Sequence, residues 1–507
     1  MSVAIVHSRA VLGVEALPVT VETHISGGLP GFAIVGMPET AVRESKDRVR
    51  SAILNSGLEF PARRITVNLA PADLPKTGGR YDFAIAMGIL AASGQVDGRQ
   101  LAGVELLGEL ALDGGLRKVF GLIPSIQAIA RDRRMVVLPE ANREEMNLVG
   151  HEGSRVVGSL ADYVVHLHGG DDLAGPDPRQ TSPACECHRG LDRIRGQQAA
   201  KRALLVAAAG NHNLLMIGPP GSGKTLLAQS LARLLPPLDS VEAMDVAAIR
   251  SVSNVRGRCP SWFCRPVRSP HHSATSPALV GGGNKAQPGE ISLAHRGLLF
   301  LDELTEFKPS VLDTLREPLE SGEITISRAN YRLRFPARFQ LVAAMNPCPC
   351  GYAGDPRHEC RCSQDRIDRY LGRISGPLLD RLDIIIEVPA LSHAELLAAP
   401  DDAEAFEPER LREEVATCRE LQRRRAGSLN SELRGDALEA VCRLSPELKQ
   451  HFVNTMEQLS LSARAAHRAL RVARTIADLD GSGEIRERHL LEAVGYRRCR
   501  ILQSLLR

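Results

Sequence analysis

Three short stretches carry residue types that could do chemistry. The first, GPPGSGKT at 218–225, has the spacing G-x-x-x-x-G-K-[ST]; it follows the apolar run Leu214 to Ile217 and precedes the helix-like TLLAQSLARLL. Strand, glycine-rich loop and helix in that order make a phosphate cradle. Gly218, Pro219, Pro220, Gly221, Ser222 and Gly223 form the loop, and Gly221 and Gly223 let the backbone curl until its N–H groups point at phosphate oxygens. Lys224 is placed to neutralise β and γ phosphates, and Thr225 to hold Mg²⁺. The second stretch, LLFLDEL at 298–304, is an apolar run ending in Asp302 and Glu303. An acidic pair at the C-terminal end of a parallel strand sits where such sheets bind ligands. Asp302 would bind Mg²⁺, through water or directly, and Glu303 would orient and polarise an attacking water.

The third stretch, VAAMNPCPCGYAGDPRHECRC at 342–362, combines two features. Its apolar start reads as another buried strand, whose end delivers Asn346 to the same sheet edge, near the γ-phosphate. Beyond it lie two Cys-x-Cys pairs, Cys348/Cys350 and Cys360/Cys362, separated by nine residues. Two thiolate pairs across a Gly/Pro loop could close a tetrahedral Zn²⁺ site with every position filled, which is structural and not catalytic. His358 is a substitute ligand, and four free thiols are the alternative. Cys185, Cys187, His188, Cys259 and Cys264 are a scattered second group.

The elements that must position these residues follow from the chain as a whole. At 507 residues it exceeds one core, so several domains are expected. Aromatics are sparse at 4%, against base-stacking platforms as the main mode of nucleic-acid contact. A net charge of +3 is too small to indicate partners. No apolar stretch is long enough for a membrane span and the start lacks the pattern of a signal peptide, so a cytoplasmic location is expected. Eleven cysteines in a reducing compartment point to free thiols or metal and not to a disulfide framework.

Residues 1–165 alternate short apolar runs (VETHISGGLPGFAIVGM, ITVNLAPADL, VELLGELALDGGL, MVVLPEA, YVVHL) with helix-like stretches near 40–56, 81–93 and 121–131, a mixed α/β domain. Residues 166–188, rich in Gly, Pro and Asp, read as a linker. Over 189–390 the strand-like runs NLLMIG, GLLFLD, FQLVAAM and DIIIEV are apolar throughout, as parallel strands buried on both faces are. From 391 to 507 the pattern is helical, and LSARAAHRALRVARTIADL fits one amphipathic helix.

GPPGSGKT, LLFLDEL, the strand ending in Asn346 and GPLLDRLD together resemble an AAA+ ATPase of the magnesium-chelatase-like subgroup. GQQAAKRAL (196–204), RSPHHSATSPALVGGG (268–283), NPCPCG (346–351), RISGPLLDRLD (373–383) and RAAHRALRVARTIADL (464–479) extend the likeness over nearly the whole chain, to the bacterial ComM/YifB family. The resemblance implies an α/β fold: an AAA+ P-loop NTPase at 189–390 with a Cys-rich insert at 346–362, and a helical lid at 391–507. It also implies ATP and Mg²⁺, and homo-oligomeric rings, expected to be hexamers. Arg381 would be the arginine finger that reaches the γ-phosphate of the neighbouring subunit. Arg464 would be the sensor-2 arginine, with Arg468 its rival. Gln197, with Gln198, would line the adenine pocket. Segment 322–336, GEITISRANYRLRFP, reads as a hairpin. It resembles the pre-sensor hairpin, and Gly281–Gly283 resembles the helix-2 loop, two devices that face the pore in ring-shaped relatives. Arg328, Tyr331 and Arg332 are the candidate DNA phosphate contacts, or else keep a hairpin edge soluble.

Residues 1–165 resemble a Lon-protease-like (ribosomal-S5-like) α/β domain through GELALDGGLRKVFGLIPSIQAIA and VVLPEANREEM. Lon-type proteases use a Ser–Lys dyad. Here Arg80 stands at the serine position and Ile123 near that of the lysine, so a scaffold without peptidase chemistry is expected. The family implies a ring-forming ATP-dependent DNA motor, a helicase or branch migration factor of natural transformation and homologous recombination. The rivals are a chelatase-type motor for metal insertion, in which neither the N-terminal block nor the Cys insert is expected, and an ATP-dependent protease-like remodeller.

Overall fold

A computed structural model describes residues 2–37, 39, 42, 44–177, 196–253, 261–283, 287–327, 332–391, 408–459, 461–497, 499 and 501. The chain forms two compact units: one of 1–183 with 243–262 and 329–334, the other of the remainder.

The first unit is built on a mixed sheet of β1 (Ser2–Leu12), β2 (Glu15–Ser26), β3 (Gly31–Val35), β4 (Arg64–Ala70), β5 (Val104–Leu106), β6 (Met135–Pro139) and β7 (Ser154–Val157), in the order β3-β4-β2-β1-β5-β6-β7. β1 and β2 are a long antiparallel hairpin running from Leu12↔Glu15 to Ser2↔Ile25. Three helices match the expected stretches: α1 (Ser45–Asn55), α2 (Asp82–Ser93) and α3 (Leu122–Arg131). α2 is apolar on nearly every side and lies buried in the core with Val6, Val21 and Leu69. One apolar run was misread. Tyr163–Leu167 is the end of a helix, Leu160–Leu167, because the Ser159 hydroxyl caps it on Asp162 N at 3.1 Å and Leu160, Tyr163 and Val164 share its buried face.

Arg80, at the position compared with a protease serine, is buried and donates to the carbonyls of Arg9 (3.3 Å), Phe120 and Gly121 (3.5 Å). Burial lowers its pKa. Ile123 is fully buried. The guanidinium therefore ties chain segments together where a nucleophile would need open space.

The second unit holds a parallel sheet of β8 (Leu214–Ile217), β9 (Val267–Arg268), β10 (Leu298–Leu301), β11 (Gln340–Met345) and β12 (Ile384–Glu387), in the order β9-β10-β11-β8-β12. All of β8, β10 and β11 is buried, as their apolar runs, broken only by Gln340, require. The order sets the site. The strand bearing Asn346 lies between the strand of the phosphate loop and the strand of the acidic pair, so three chemistries meet on one edge. Helices α4 (Gln198–Gly210), α5 (Lys224–Leu234), α6 (Pro408–Ala426), α7 (Ala463–Leu479) and α8 (Glu487–Gly495) complete the unit, and one hydrophobic cluster includes Leu214 and Val342 of the sheet with Val472 and Ile476 of α7. Asp478 at the end of α7 accepts from Arg425 (both contacts 2.7 Å) and from Asn430 (2.9 Å), fastening α7 to α6. Among the described cysteines, Cys418 and Cys442 are buried free thiols and Cys264 is disulfide-bonded.

Candidate functional site

The phosphate loop leaves β8 under tight constraint. Gly218 N donates to Met345 O (3.2 Å), and a Cβ at Gly218 would stand 2.1 Å from Val388 O, so the loop's first residue must be glycine. Gly223 then starts α5 from the left-handed region, φ +87°. The loop curls over the N-terminus of α5, where free N–H groups and the helix dipole favour an anion.

Lys224 is folded back over this cradle. Its Nζ donates to Gly218 O (2.7 Å), Pro219 O (2.8 Å), Ser222 Oγ (3.4 Å) and Asn346 Oδ1 (3.4 Å). Burial lowers its pKa, opposed by the nearby Asp302 carboxylate. A cation capped by neutral carbonyls has no full counter-charge, and phosphate oxygens would supply one. Thr225 Oγ1 donates to Asp302 Oδ2 at 2.8 Å, and Asp302 Oδ1 accepts from Glu303 N at 2.9 Å. Hydroxyl and carboxylate therefore already touch where a hard divalent cation would take oxygen ligands. Glu303 sits in the left-handed region, φ +51°, an uncommon conformation for a non-glycine residue that turns it out of line with the strand.

Sequence reasoning missed His272. Its Nδ1 lies 3.1 Å from Glu303 Oε2. His272 follows β9, a strand of two residues, too short to register as a strand from its pattern. The contact spans 31 positions (303 − 272), and only the adjacency of β9 and β10 brings the two together.

The other expected site residues divide. Arg381 is nearly buried and does not face its own phosphate loop: Nη2 pairs with Glu320, Nε donates to Arg316 O (3.1 Å) and Nη1 to Pro377 O (2.6 Å). Burial lowers its pKa, with Glu320 opposing and Arg468, Arg316 and Arg464 adding to the fall. Arg468 is engaged structurally, Nη1 to Asp383 Oδ1 at 2.6 Å and to Arg381 O at 3.1 Å. Burial pushes Asp383 up, yet Arg468, His212 and the Asn213 N–H together outweigh it, and the carboxylate is held below the usual range. Arg464, one turn earlier on α7, is exposed. Gln197 precedes α4 in the left-handed region, and its Nε2 donates to Pro389 O at 2.6 Å. Glu323–Ser327 and Arg332–Pro336 form the expected hairpin, with Arg332 exposed; Arg328 and Tyr331 lie outside the described residues. Gly281–Gly282 pairs with Gln287–Pro288, and Gly281 packs near Ile326 of the hairpin, so the two expected pore devices adjoin.

The four cysteines of the insert converge: one Sγ from each of Cys348, Cys350, Cys360 and Cys362 lies within 4.8 Å of the others. The Cys348–Cys350, Cys350–Cys360 and Cys348–Cys360 separations are 3.3, 3.5 and 3.6 Å. A tetrahedron with Zn–S bonds of about 2.3 Å has edges of about 3.8 Å, so the donor set fits. His358 instead faces Asp355, Nδ1 to Oδ2 at 3.4 Å.

Among the described residues no helix is long and apolar enough to cross a membrane. Family models described as "Magnesium chelatase, subunit ChlI", "Subunit ChlI of Mg-chelatase" and "Magnesium chelatase, subunit ChlI C-terminal" match residues 190–396, 21–142 and 407–497. The chain is 50% identical to the competence protein ComM of Haemophilus influenzae, over 100% of this chain and 99% of the relative. It is 48% identical to the uncharacterized protein YifB of Escherichia coli, over 98% and 97%. The magnesium-chelatase 38 kDa subunit of Cereibacter sphaeroides is 31% identical, over 30% of this chain and 51% of the relative. By its phosphate loop, its sheet order and this full-length identity, the chain belongs to the ComM/YifB family of magnesium-chelatase-like AAA+ ATPases.

Proposed function

We propose that this ATPase is a ring-forming DNA motor, a helicase or branch migration factor acting in natural transformation and homologous recombination, in the cytoplasm. The observation that carries the reading is its identity over the whole chain with a relative named for competence. The motor site supports it. Lys224 releases its carbonyl partners to hold β and γ phosphates; Thr225 and Asp302 hold Mg²⁺ between them; Glu303 orients the attacking water; Asn346, within reach of Lys224, holds that water or a phosphate oxygen. Mg²⁺ held by Thr225 and Asp302 would supply charge stabilisation for the γ-phosphoryl group and the departing diphosphate. Arg381 completes the site of an adjacent subunit, expected in a hexamer. The Cys348, Cys350, Cys360 and Cys362 cage holds a structural Zn²⁺. Arg332, exposed on the hairpin, contacts DNA phosphates together with Arg328 and Tyr331. The test is ATP hydrolysis with and without forked or four-way DNA, followed by strand displacement on the same substrates. Stimulation is expected, and equal rates with every DNA form would overturn the DNA reading.

The chelatase subunit of Cereibacter sphaeroides matches 30% of this chain and the competence relative all of it, which favours the DNA reading over the chelatase rival. The N-terminal block no longer bears against that rival, because a chelatase-subunit model itself matches 21–142. The peptidase rival predicts ATP-dependent loss of casein. With Arg80 locked on carbonyls, casein is expected to remain intact, and its degradation would restore that rival.

Arg464 is assigned the sensor-2 role over Arg468. Arg464→Ala is expected to lower hydrolysis and leave stability within about 0.5 kcal/mol, as for an exposed side chain. Arg468→Ala strands the buried Asp383 and is expected to cost about 3 kcal/mol in chemical denaturation. Because the folded pKa of Asp383 is depressed, this contribution is complete above the unfolded carboxylate range, about pH 4, and fades only as pH falls through the folded value.

A further inference from the structure

The Cys-rich loop forms part of the wall of the nucleotide site. It begins two residues after Asn346, which meets Lys224, and β11 ends just before it at Met345, whose carbonyl holds Gly218. Residues 346–363 contain no helix or strand. Within the loop the bonds are short-range: Gly351 N to Cys348 O (2.9 Å), Ala353 N to Cys348 Sγ (3.3 Å), Asp355 N to Tyr352 O (3.1 Å), Arg357 N to Asp355 Oδ1 (2.8 Å) and His358 Nδ1 to Asp355 Oδ2 (3.4 Å), with the N–H groups of Tyr352 and Arg361 turned to Cys350. Its shape therefore depends on the convergence of the four sulfurs.

Two contacts carry that shape to the nucleotide site. Gly351, φ +89°, lies flat on Pro220 of the phosphate loop, so close that a Cβ would stand 2.6 Å from Pro220 Cδ. Arg357 Nη1 donates to Leu391 O at 2.7 Å, in the segment after β12 whose Pro389 carbonyl accepts from Gln197. The loop thus braces the phosphate cradle from one side and the Gln197 edge from the other.

We propose that metal occupancy of the four-cysteine cage and nucleotide occupancy of the phosphate loop are thermodynamically linked, each tightening the other, through the Gly351–Pro220 contact. The proposal rests on the Zn²⁺ reading of the cage. Four thiolates gathered by one divalent cation cross-link a loop that otherwise lacks regular structure. Without the cation the sulfurs separate, Gly351 withdraws from Pro220, and the cradle loses its support. Linkage is reciprocal, so whatever factor the metal contributes to nucleotide affinity, nucleotide must contribute to metal retention.

The test uses full-length protein under thiol-reducing conditions. Zinc is counted by elemental analysis, then removed with a zinc-selective chelator that spares Mg²⁺. Affinity for a fluorescent non-hydrolysable ATP analogue with Mg²⁺ is measured before removal, after it, and after Zn²⁺ is restored. Affinity is expected to fall about tenfold on removal, within the usual range of coupling between sites, and to recover on restoration. The zinc dissociation constant, read from equilibrium competition with the chelator, is expected to fall by the same factor when the analogue is saturating. Gly351→Ala is expected to keep its zinc and bind the analogue more weakly. Absence of zinc, with none taken up, would overturn the reading of the cage and the linkage with it. Zinc present with unchanged affinity after removal would overturn the linkage and leave the cage standing. Normal affinity in Gly351→Ala would overturn the route through Pro220.

Discussion

Lys224→Ala is expected to abolish nucleotide binding, and Glu303→Gln to preserve it while stopping turnover. The two substitutions act on different steps because the residues occupy different places. Lys224 Nζ sits inside the loop, held at 2.7 Å by Gly218 O and 2.8 Å by Pro219 O, where it can meet β and γ phosphates. Without it the cradle retains its backbone N–H groups but loses the charge that offsets a polyanion. Binding of a fluorescent ATP analogue should fall below detection at micromolar protein, and hydrolysis with forked DNA should fall at least about 100-fold, the scale of removing a preorganised charge-stabilising donor. Glu303 stands outside the loop, beyond Asp302, which alone of the pair contacts Thr225. The amide of Glu303→Gln can still occupy the position but cannot polarise water. Hydrolysis should drop about 10²–10⁴-fold, the usual contribution of a positioned general base, with analogue affinity changed only a few-fold. Equal loss of binding in both variants would remove Glu303 from the chemistry and make it a structural support of the loop.

How much of this was legible beforehand depends on how local each constraint is. The phosphate loop was readable because its requirements are contiguous: glycines where the backbone must turn left-handed, lysine and threonine at the first turn of α5. The parallel strands were readable because burial on both faces demands apolar side chains, and β8, β10 and β11 obey that except at Gln340, whose buried amide donates to Ala207 O and His212 O. β1 was not recognised as a strand, since its pairing with β2 is what defines it. Tyr163–Leu167 was misread because five apolar-rich residues have no distinguishable period, and the deciding residue, Ser159, lies outside the run. The cysteine spacing suggested a cage; its seat on Pro220 did not, because that contact joins residues 131 positions apart (351 − 220) through strand order alone. His272 beside Glu303 and Glu320 beside Arg381 were invisible for the same reason.

The Glu320 pair gives the second large expectation its form. In a single chain Arg381 is occupied by Glu320, Arg316 O and Pro377 O, none of them part of the phosphate loop. An arginine that served its own nucleotide would be aimed at that loop. One that serves a neighbour must be held elsewhere until a neighbour presents phosphate, and Glu320, itself largely exposed, is a partner that a more highly charged anion can outcompete. Arg381→Ala should therefore leave analogue binding intact while lowering DNA-stimulated hydrolysis by about 10³-fold or more, the range for an arginine supplied in trans. The decisive measurement mixes variants. Lys224→Ala lacks a nucleotide site but keeps its arginine; Arg381→Ala lacks the arginine but keeps its site. In a ring of head-to-tail interfaces assembled from equal amounts of both, about one interface in four joins an intact site to an intact arginine. Hydrolysis should reappear on mixing two inactive proteins, up to about a quarter of the wild-type rate. If Arg381 acts within its own chain, no interface is restored and the mixture stays as inactive as its parts, so the absence of recovery in rings shown by light scattering to contain both variants would overturn the assignment.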